Sequence, residues 1–157
     1  MKMRRIIVLL LALVLLIPFL RFGMLMWSPQ PAVGLTESGQ LQPCPASPNC
    51  IASYEETALG RLEPLRFTGS PEEAMKRLEQ LVLETPRTRI VTRQPGYLHV
   101  EYRSGLFRFV DDVEFLVDAE SQAIHFRSAS RLGYSDLGAN RQRMEGVREM
   151  WTKPQGK

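Results

Sequence analysis

The chain of 157 residues lacks the short signatures that mark the common enzyme classes. It contains no G-x-S-x-G sequence of serine hydrolases, no H-E-x-x-H sequence of zinc proteases and no glycine-rich phosphate loop. Cysteine and histidine are scarce, with two of each. These absences exclude the best-known hydrolase and nucleotide sites, and the short length excludes a multi-domain enzyme.

Excess positive charge is missing from most of the chain, although the net charge is +3. Residues 1–27 hold four of the 20 basic residues and no acid, which leaves 16 basic and 17 acidic residues and a net charge of −1 in the rest. Because a near-neutral body has no general attraction to phosphate, we do not predict nucleic-acid binding. With 44% hydrophobic and 24% charged residues, global disorder is not expected either.

A basic start precedes a long apolar segment at the N-terminus. Residues 6–27 contain one charged residue, Arg21, and as a helix they cover about 33 Å, which is enough to cross a bilayer. Residues 24–27 are bulky where a signal peptidase requires small side chains. We therefore expect residues 1–27 to form an uncleaved transmembrane signal anchor; a cleaved signal peptide and a buried soluble helix are the alternatives.

The positive-inside rule then places the N-terminus in the cytoplasm and the body in the periplasm, as a single-pass protein of the inner membrane. In that oxidising space Cys44 and Cys50 are expected to form a disulfide. A redox-active pair and a zinc site shared with His99 and His125 are the alternatives, but neither has a recognisable spacing. We predict no cofactor and no metal.

The body of the chain, residues 28–157, is predicted to contain one domain. Residues 28–43 are rich in Pro, Gly, Gln and Ser and are typical of a linker; we assign residues 44–151 to the domain and 152–157 to a tail. A capping box formed by Ser70 and Glu73, followed by apolar residues at helical spacing, predicts a helix that ends near Thr85.

Alternating apolar residues then indicate four strands with short turns, at 89–94, 97–103, 107–118 and 123–131. In the third, Phe107 and Phe109 are predicted to point inward. A last helix is expected from Ser135, Asp136 or Asn140, with an apolar side of Leu137, Met144, Val147 and Trp151. The prediction is an α+β fold in which an antiparallel four- to five-stranded meander packs against two helices, after the N-terminal transmembrane helix.

Asp111 breaks the alternation of its strand, because it falls on the same face as Phe109 and Val113. A carboxylate there must be paired, hydrogen-bonded or protonated, unless a bulge turns Asp111 and Asp112 outward. The histidines, His99 and His125, fall on the opposite face and are expected to be solvated.

A polar segment from Arg127 to Arg141 spans a strand end, a loop and a helix start. Arginines beside a helix N-terminus can hold an anion, but they can equally pair with acids of the neighbouring strand while Asp136 and Asn140 cap the helix. Both interpretations stay open. The candidate functional residues are Asp111, Asp112, Arg127, Ser128, Ser130, Arg131, Tyr134, Asp136, Asn140 and Arg141.

Three motifs together resemble a known family. They are the Cys44–Cys50 segment with Ser53, the strand 107–115, and the segment from Arg127 to Arg141. In this order they resemble the domain of unknown function 1499 family of bacteria and plant plastids, over roughly residues 41–150. The resemblance implies a small exported or lumenal domain and one shared signature for the three motifs, and it assigns no catalytic residue.

Two functions remain in competition. The first is a membrane-tethered envelope domain without catalytic activity, which binds a protein partner or an anionic ligand through the Arg127–Arg141 region. The second is a hydrolase-like envelope enzyme, in which Asp111 or Asp112 is the general acid or base and Arg127 and Arg131 hold an anionic group of the substrate.

Overall fold

The computed structural model describes residues 3–7, 12, 14, 16–20, 32–54, 56–57 and 59–153. Its contacts divide the chain into two units, Met1–Gln30 and Pro31–Lys157. The described residues of the first unit are helical, but no helix within the described ranges is both long and apolar enough to cross a membrane. Much of the predicted anchor, the start of the linker and the end of the tail lie outside the described residues, so the anchor stays a prediction.

The second unit contains six strands and two helices within its described part. In chain order they are β1 (Cys50–Ala52), β2 (Leu65–Arg66), α1 (Pro71–Glu84), β3 (Thr88–Gln94), β4 (Tyr97–Arg103), β5 (Val110–Asp118), β6 (Ala123–Ser130) and α2 (Ala139–Thr152). The strands form one antiparallel sheet in the order β1-β6-β5-β4-β3, with β2 also paired to β6. The α+β meander is confirmed, and the predicted four to five strands become six because β1 and β2 share the edge of β6.

Both helices contribute to the apolar core on one face of the sheet. α1 begins at the predicted capping box, in which the Ser70 side chain accepts from the Glu73 amide and the Glu73 side chain accepts from the Ser70 amide. Alternate residues of β4, β5 and β6, such as Val100, Phe115 and Phe126, pack against residues of both helices. This is the face that the apolar alternation predicts.

Two predictions at the ends of elements were wrong. β5 begins at Val110 and not at residue 107, so Phe107 and Phe109 lie in the exposed turn of the β4–β5 hairpin and stack on each other with ring centroids 5.5 Å apart. The backbone of Arg108 between them is left-handed, with φ of 60°, which interrupts the strand. α2 begins at Ala139, so Leu137 lies before the helix and is 97% exposed.

The other face of the sheet is also covered, by part of the predicted linker. The described residues 32–43 belong to the second unit, where Leu41 is buried and forms an isolated bridge with Leu35. The Gly34 amide donates to Glu114 Oε1 at 2.6 Å, in the middle of β5. This cover explains why polar side chains of this face are buried.

Candidate functional site

A row of ion pairs crosses β4, β5 and β6 on the face covered by residues 32–43. Asp112, which has no exposed surface, accepts from Arg131 through both oxygens, from Nε to Oδ2 and from Nη2 to Oδ1, each at 2.8 Å. Arg131 Nη2 also donates to Glu101 Oε1 at 2.7 Å. Glu101 Oε2 accepts in addition from Arg89 and Arg103. Two of the predicted candidates, Asp112 and Arg131, are therefore paired with each other in this row.

Charge pairing sets the pKa values in this row. Burial alone would raise the pKa of Asp112, but hydrogen bonds with Arg131 and His99 hold it below its ordinary value. Burial likewise opposes ionisation of Glu101, and Arg131 and Arg89 lower its pKa. His99 Nε2 lies 2.7 Å from Asp112 Oδ1 and is buried, so the expectation of a solvated imidazole was wrong for this residue.

A second buried pair lies next to this row. Arg127 Nη1 donates to Glu114 Oε2 at 3.1 Å, and both side chains are almost completely buried. The Tyr97 hydroxyl donates to Glu114 Oε1 at 2.8 Å, and burial together with this hydrogen bond raises the pKa of Tyr97. Register places Glu114 directly opposite Arg127 on β6, so this is the cross-strand pairing that the sequence offered as the structural alternative.

On the opposite face, Asn140 joins three elements at the start of α2. Its Oδ1 accepts from Ser128 Oγ at 2.5 Å, and its Nδ2 donates to Ser130 Oγ and to the Asn49 carbonyl, both at 2.9 Å. Asn140 has no exposed surface. It therefore acts as a buried connection between β6, the disulfide loop and α2, and not as the helix cap that was one of its predicted roles.

Asp111 lies on this helix face, as the alternation predicts, and is paired. Its partner is Arg143 of α2, whose Nη2 donates to Asp111 Oδ2. The guanidinium of Arg143 also lies over the ring of Tyr102, 4.9 Å from its centroid. Arg143 was not among the residues predicted from the sequence; its spacing of three residues from Asn140 places both on one side of α2 but does not indicate Asp111 as its partner.

The remaining candidates are dispersed. Asp136 accepts from the amides of Gly138 and Asn140 and so fixes the entry to α2, as predicted. Arg141 donates to the Leu59 carbonyl and pairs with Glu145 along the helix. Tyr134 is 77% exposed and lies apart from the buried pairs.

The predicted disulfide between Cys44 and Cys50 is present. Within its loop, Asn49 donates from Nδ2 to the Gly133 carbonyl and accepts from the Ser130 amide. The disulfide loop thereby fastens the segment that connects β6 to α2. Neither cysteine is available to a metal, and the described residues contain no group of three or more His, Cys, Asp or Glu side chains placed to hold one.

Five exposed apolar side chains lie at one end of the sheet, which we call the sheet tip and define as the hairpin turn 104–109 and the loop 131–138; others, such as Leu83 and Val91, lie elsewhere. The two segments leave the sheet side by side, because the Arg131 amide donates to the Val110 carbonyl and the Ser104 amide to the Phe109 carbonyl. The exposed large apolar side chains of the sheet tip are Leu106, Phe107, Phe109, Tyr134 and Leu137.

Arginines surround the sheet tip. The adjoining segments 85–89 and 102–110 contain four arginines and no acid. Arg89 and Arg103 pair with Glu101, whereas Arg87 and Arg108 have no carboxylate within ion-pair distance in the described part of the chain. Asp136, the acid of the loop 131–138, is occupied by backbone amides. The sheet tip is therefore both apolar and basic.

A groove of about 280 Å³ lies elsewhere, between β2 and the end of α2. Its lining includes Arg66, Arg148 and Trp151, and none of the ten predicted candidates. Trp151 Nε1 donates to the Arg66 carbonyl at 2.8 Å, so the indole is held by the wall of the groove. The groove therefore gives Asp111 and Asp112 no access to a substrate.

Comparison with known proteins yields one match. The profile of a family described as "Protein of unknown function (DUF1499)" matches residues 40–150. No curated protein matches the chain, and no solved structure matches it. The matched range includes the disulfide, both sets of buried pairs and the sheet tip.

Proposed function

Since the chain belongs to the DUF1499 family of proteins of unknown function, we propose its function from its own geometry: a non-catalytic binding domain, held at a membrane of the cell envelope, whose binding surface is the sheet tip. One contrast carries the proposal. The charged candidates form ion pairs within the domain, whereas the apolar residues at the sheet tip face solvent.

The buried pairs argue against acid–base catalysis by the aspartates. A general acid or base must come within hydrogen-bond distance of its substrate. Asp112 has no exposed surface and both its oxygens are occupied by Arg131. Asp111 is buried against Arg143. The enzyme alternative therefore has no observation in its favour.

The same pairs argue against a pocket for a small anion at the predicted arginines. Arg127 faces Glu114, and Arg131 faces Asp112 and Glu101, so each guanidinium already has a carboxylate partner. An anion would have to displace a buried carboxylate, which costs several kcal/mol of desolvation. The part of the Arg127–Arg141 region that can bind another molecule is its exposed loop, with Tyr134 and Leu137.

The backbone of that loop supports a role in binding. Leu137 is left-handed, with φ of 55°, a conformation that costs a leucine about 1 kcal/mol or more. Its side chain gains no packing within the domain, because it is 97% exposed. Backbone strain that is not offset by packing within the domain is characteristic of functional positions.

Membrane tethering is supported by the first unit. The described apolar side chains there, among them Ile6, Val14 and Phe19, are exposed. A helix with exposed apolar side chains requires a non-aqueous environment. Positive residues lie at its N-terminal end, which favours a cytoplasmic N-terminus and an exported body.

Site-specific photocross-linking in intact cells tests the binding surface. A photoreactive residue is placed at Tyr134 of the sheet tip or, as the control, at Leu83, which is an exposed apolar residue of α1. We expect adducts from position 134 and none from position 83. Absence of adducts at 134, or equal adducts at both positions, would overturn the proposed binding surface.

Membrane tethering has its own test. After cell lysis, the full chain is expected to remain in the membrane pellet when the pellet is washed with alkaline carbonate, because that wash releases peripheral proteins only. Release of the chain into the supernatant would contradict the tether and leave the result at position 134 unaffected.

A further inference from the structure

We propose that the sheet tip inserts into the headgroup region of an anionic phospholipid bilayer. The inference rests on the proposed function, because it names the partner of the same surface. Its basis is the combination at the sheet tip of exposed apolar side chains, arginines without a carboxylate partner among the described residues, and a backbone fixed by hydrogen bonds.

The apolar side chains have the chemistry of an interfacial contact. Leu106 and Leu137, the most exposed of them at 79% and 97%, project from two neighbouring loops. Phe107 and Phe109 stack beside them and remain accessible. Tyr134 adds a ring with a polar end, a type of side chain that is enriched where bilayers meet water.

The charge of the sheet tip complements anionic lipid. Arg87 and Arg108 lack a carboxylate partner among the described residues, and Arg87 lies beside the hairpin, where its guanidinium carbon is 3.9 Å from the Cβ position of Gly105. A basic side chain near an anionic leaflet contributes about 1 kcal/mol of attraction. A protein partner would have to supply acidic residues in the same arrangement, whereas an anionic leaflet presents negative charge everywhere.

The loops are ordered before binding. Asp136 fixes the backbone at Gly138 and Asn140, and Asn49 of the disulfide loop holds Gly133. In the hairpin, Ser104 Oγ accepts from the Phe109 amide. A preorganised surface loses little conformational entropy on contact, so a small apolar tip can insert effectively.

The test uses the purified full chain reconstituted into vesicles and a polarity-sensitive fluorophore attached at Leu106→Cys. The native cysteines form the disulfide and leave the new thiol as the attachment site. We expect a blue shift in phosphatidylcholine vesicles that contain phosphatidylglycerol, and a much smaller one in phosphatidylcholine alone. The matched control, Leu83→Cys on α1, is expected to give no shift in either vesicle.

Two variants separate charge from apolar contact. Arg108→Ser is expected to lower the ratio of inserted to free tips about fivefold, because one unpaired arginine is lost. Leu137→Asn is expected to lower it as well without unfolding the domain, since asparagine tolerates the left-handed backbone and the leucine has no internal packing. Circular dichroism of the labelled variants confirms that they are folded.

The outcomes distinguish the inference from the proposed function. No blue shift in vesicles with phosphatidylglycerol, or the same shift at positions 106 and 83, overturns insertion. If position 134 then cross-links to protein in cells, the binding surface stands and its partner is a protein. If neither lipid nor protein adducts form at position 134, the binding surface itself fails.

Discussion

Asp112 shows how one residue can be fully buried and still ionised. Its two oxygens accept from Arg131, and His99 lies 2.7 Å away, so the cost of removing the charge from water is offset by three short polar contacts. Neutralising the carboxylate while leaving Arg131 in place would leave a cation without its nearest partner. The residue is therefore expected to matter for folding stability.

We predict that Asp112→Asn lowers the free energy of unfolding by about 3 kcal/mol, the lower end for breaking a buried ion pair, because Arg131 keeps Glu101 as a second partner. The measurement is unfolding by urea, followed by circular dichroism. The control is Glu79→Gln, which breaks the exposed pair with Arg93 and is expected to cost less than about 1 kcal/mol. Equal losses of unfolding free energy in the two variants would show that the buried row stabilises the fold no more than an exposed ion pair does.

The sequence predicted part of this pairing. Adjacent antiparallel strands place acids and arginines opposite each other, so partners for Arg127 and Arg131 on β5 could be foreseen. The burial of His99 could not be foreseen, because it depends on residues 32–43 folding back over the sheet. The composition of residues 32–43 is typical of a linker. Arg143 was missed because its partner, Asp111, belongs to a different element, and helix-to-strand pairs leave no local spacing.

At the scale of elements, the ion pairs act as a lateral brace across the central strands. Glu101 of β4, Asp112 of β5 and Arg131 after β6 form one continuous row. The carboxylates in it have pKa values below their ordinary 3.8 and 4.5. A carboxyl group whose pKa is lower in the folded state stabilises the fold above its unfolded pKa, and this contribution is lost as the pH falls through the folded value.

We therefore expect the contribution of this row to the free energy of unfolding to be level above about pH 5 and to fall at lower pH, because the unfolded chain takes up protons that the folded row resists. Arg131→Gln removes the main donor to Asp112 and is expected to flatten this acid dependence by about one proton. Urea unfolding at several pH values measures the slope. Arg93→Gln, which breaks an exposed pair, is the control, and an unchanged slope in Arg131→Gln would contradict the assignment.

The elements that could be predicted are those whose signals are local. The capping box at Ser70 and Glu73 fixed the start of α1, and period-two alternation located the meander. The end of the β4–β5 hairpin was misassigned because Phe107 and Phe109 continue the alternation into a turn in which Arg108 has a positive φ. The apolar side chains there are exposed, although their period-two spacing is typical of a strand that faces the core.

At the scale of the whole molecule, a near-neutral domain follows a basic, apolar leader. Residues 1–27 carry four positive charges and the rest of the chain a net −1, so the basic character of the protein belongs to the segment that is predicted to set its topology. The oxidation state of Cys44 and Cys50 in cells therefore tests the predicted compartment, because disulfides persist outside the cytoplasm and are reduced within it.

The orientation can be read from those two cysteines. In bacterial cells we expect the native chain to carry the Cys44–Cys50 disulfide, and replacing the leader's basic residues with Lys2→Glu, Arg4→Glu and Arg5→Glu to leave both thiols reduced, since the positive-inside signal is lost and the body stays in the cytoplasm. Alkylation of free thiols after acid quenching, read as a mass shift, measures this. The control reverses exposed body charges with Lys76→Glu and Lys153→Glu and is expected to remain oxidised. A native chain with free thiols would refute the exported orientation, and a charge-reversed N-terminus that still yields the disulfide would refute the role of these basic residues in setting it.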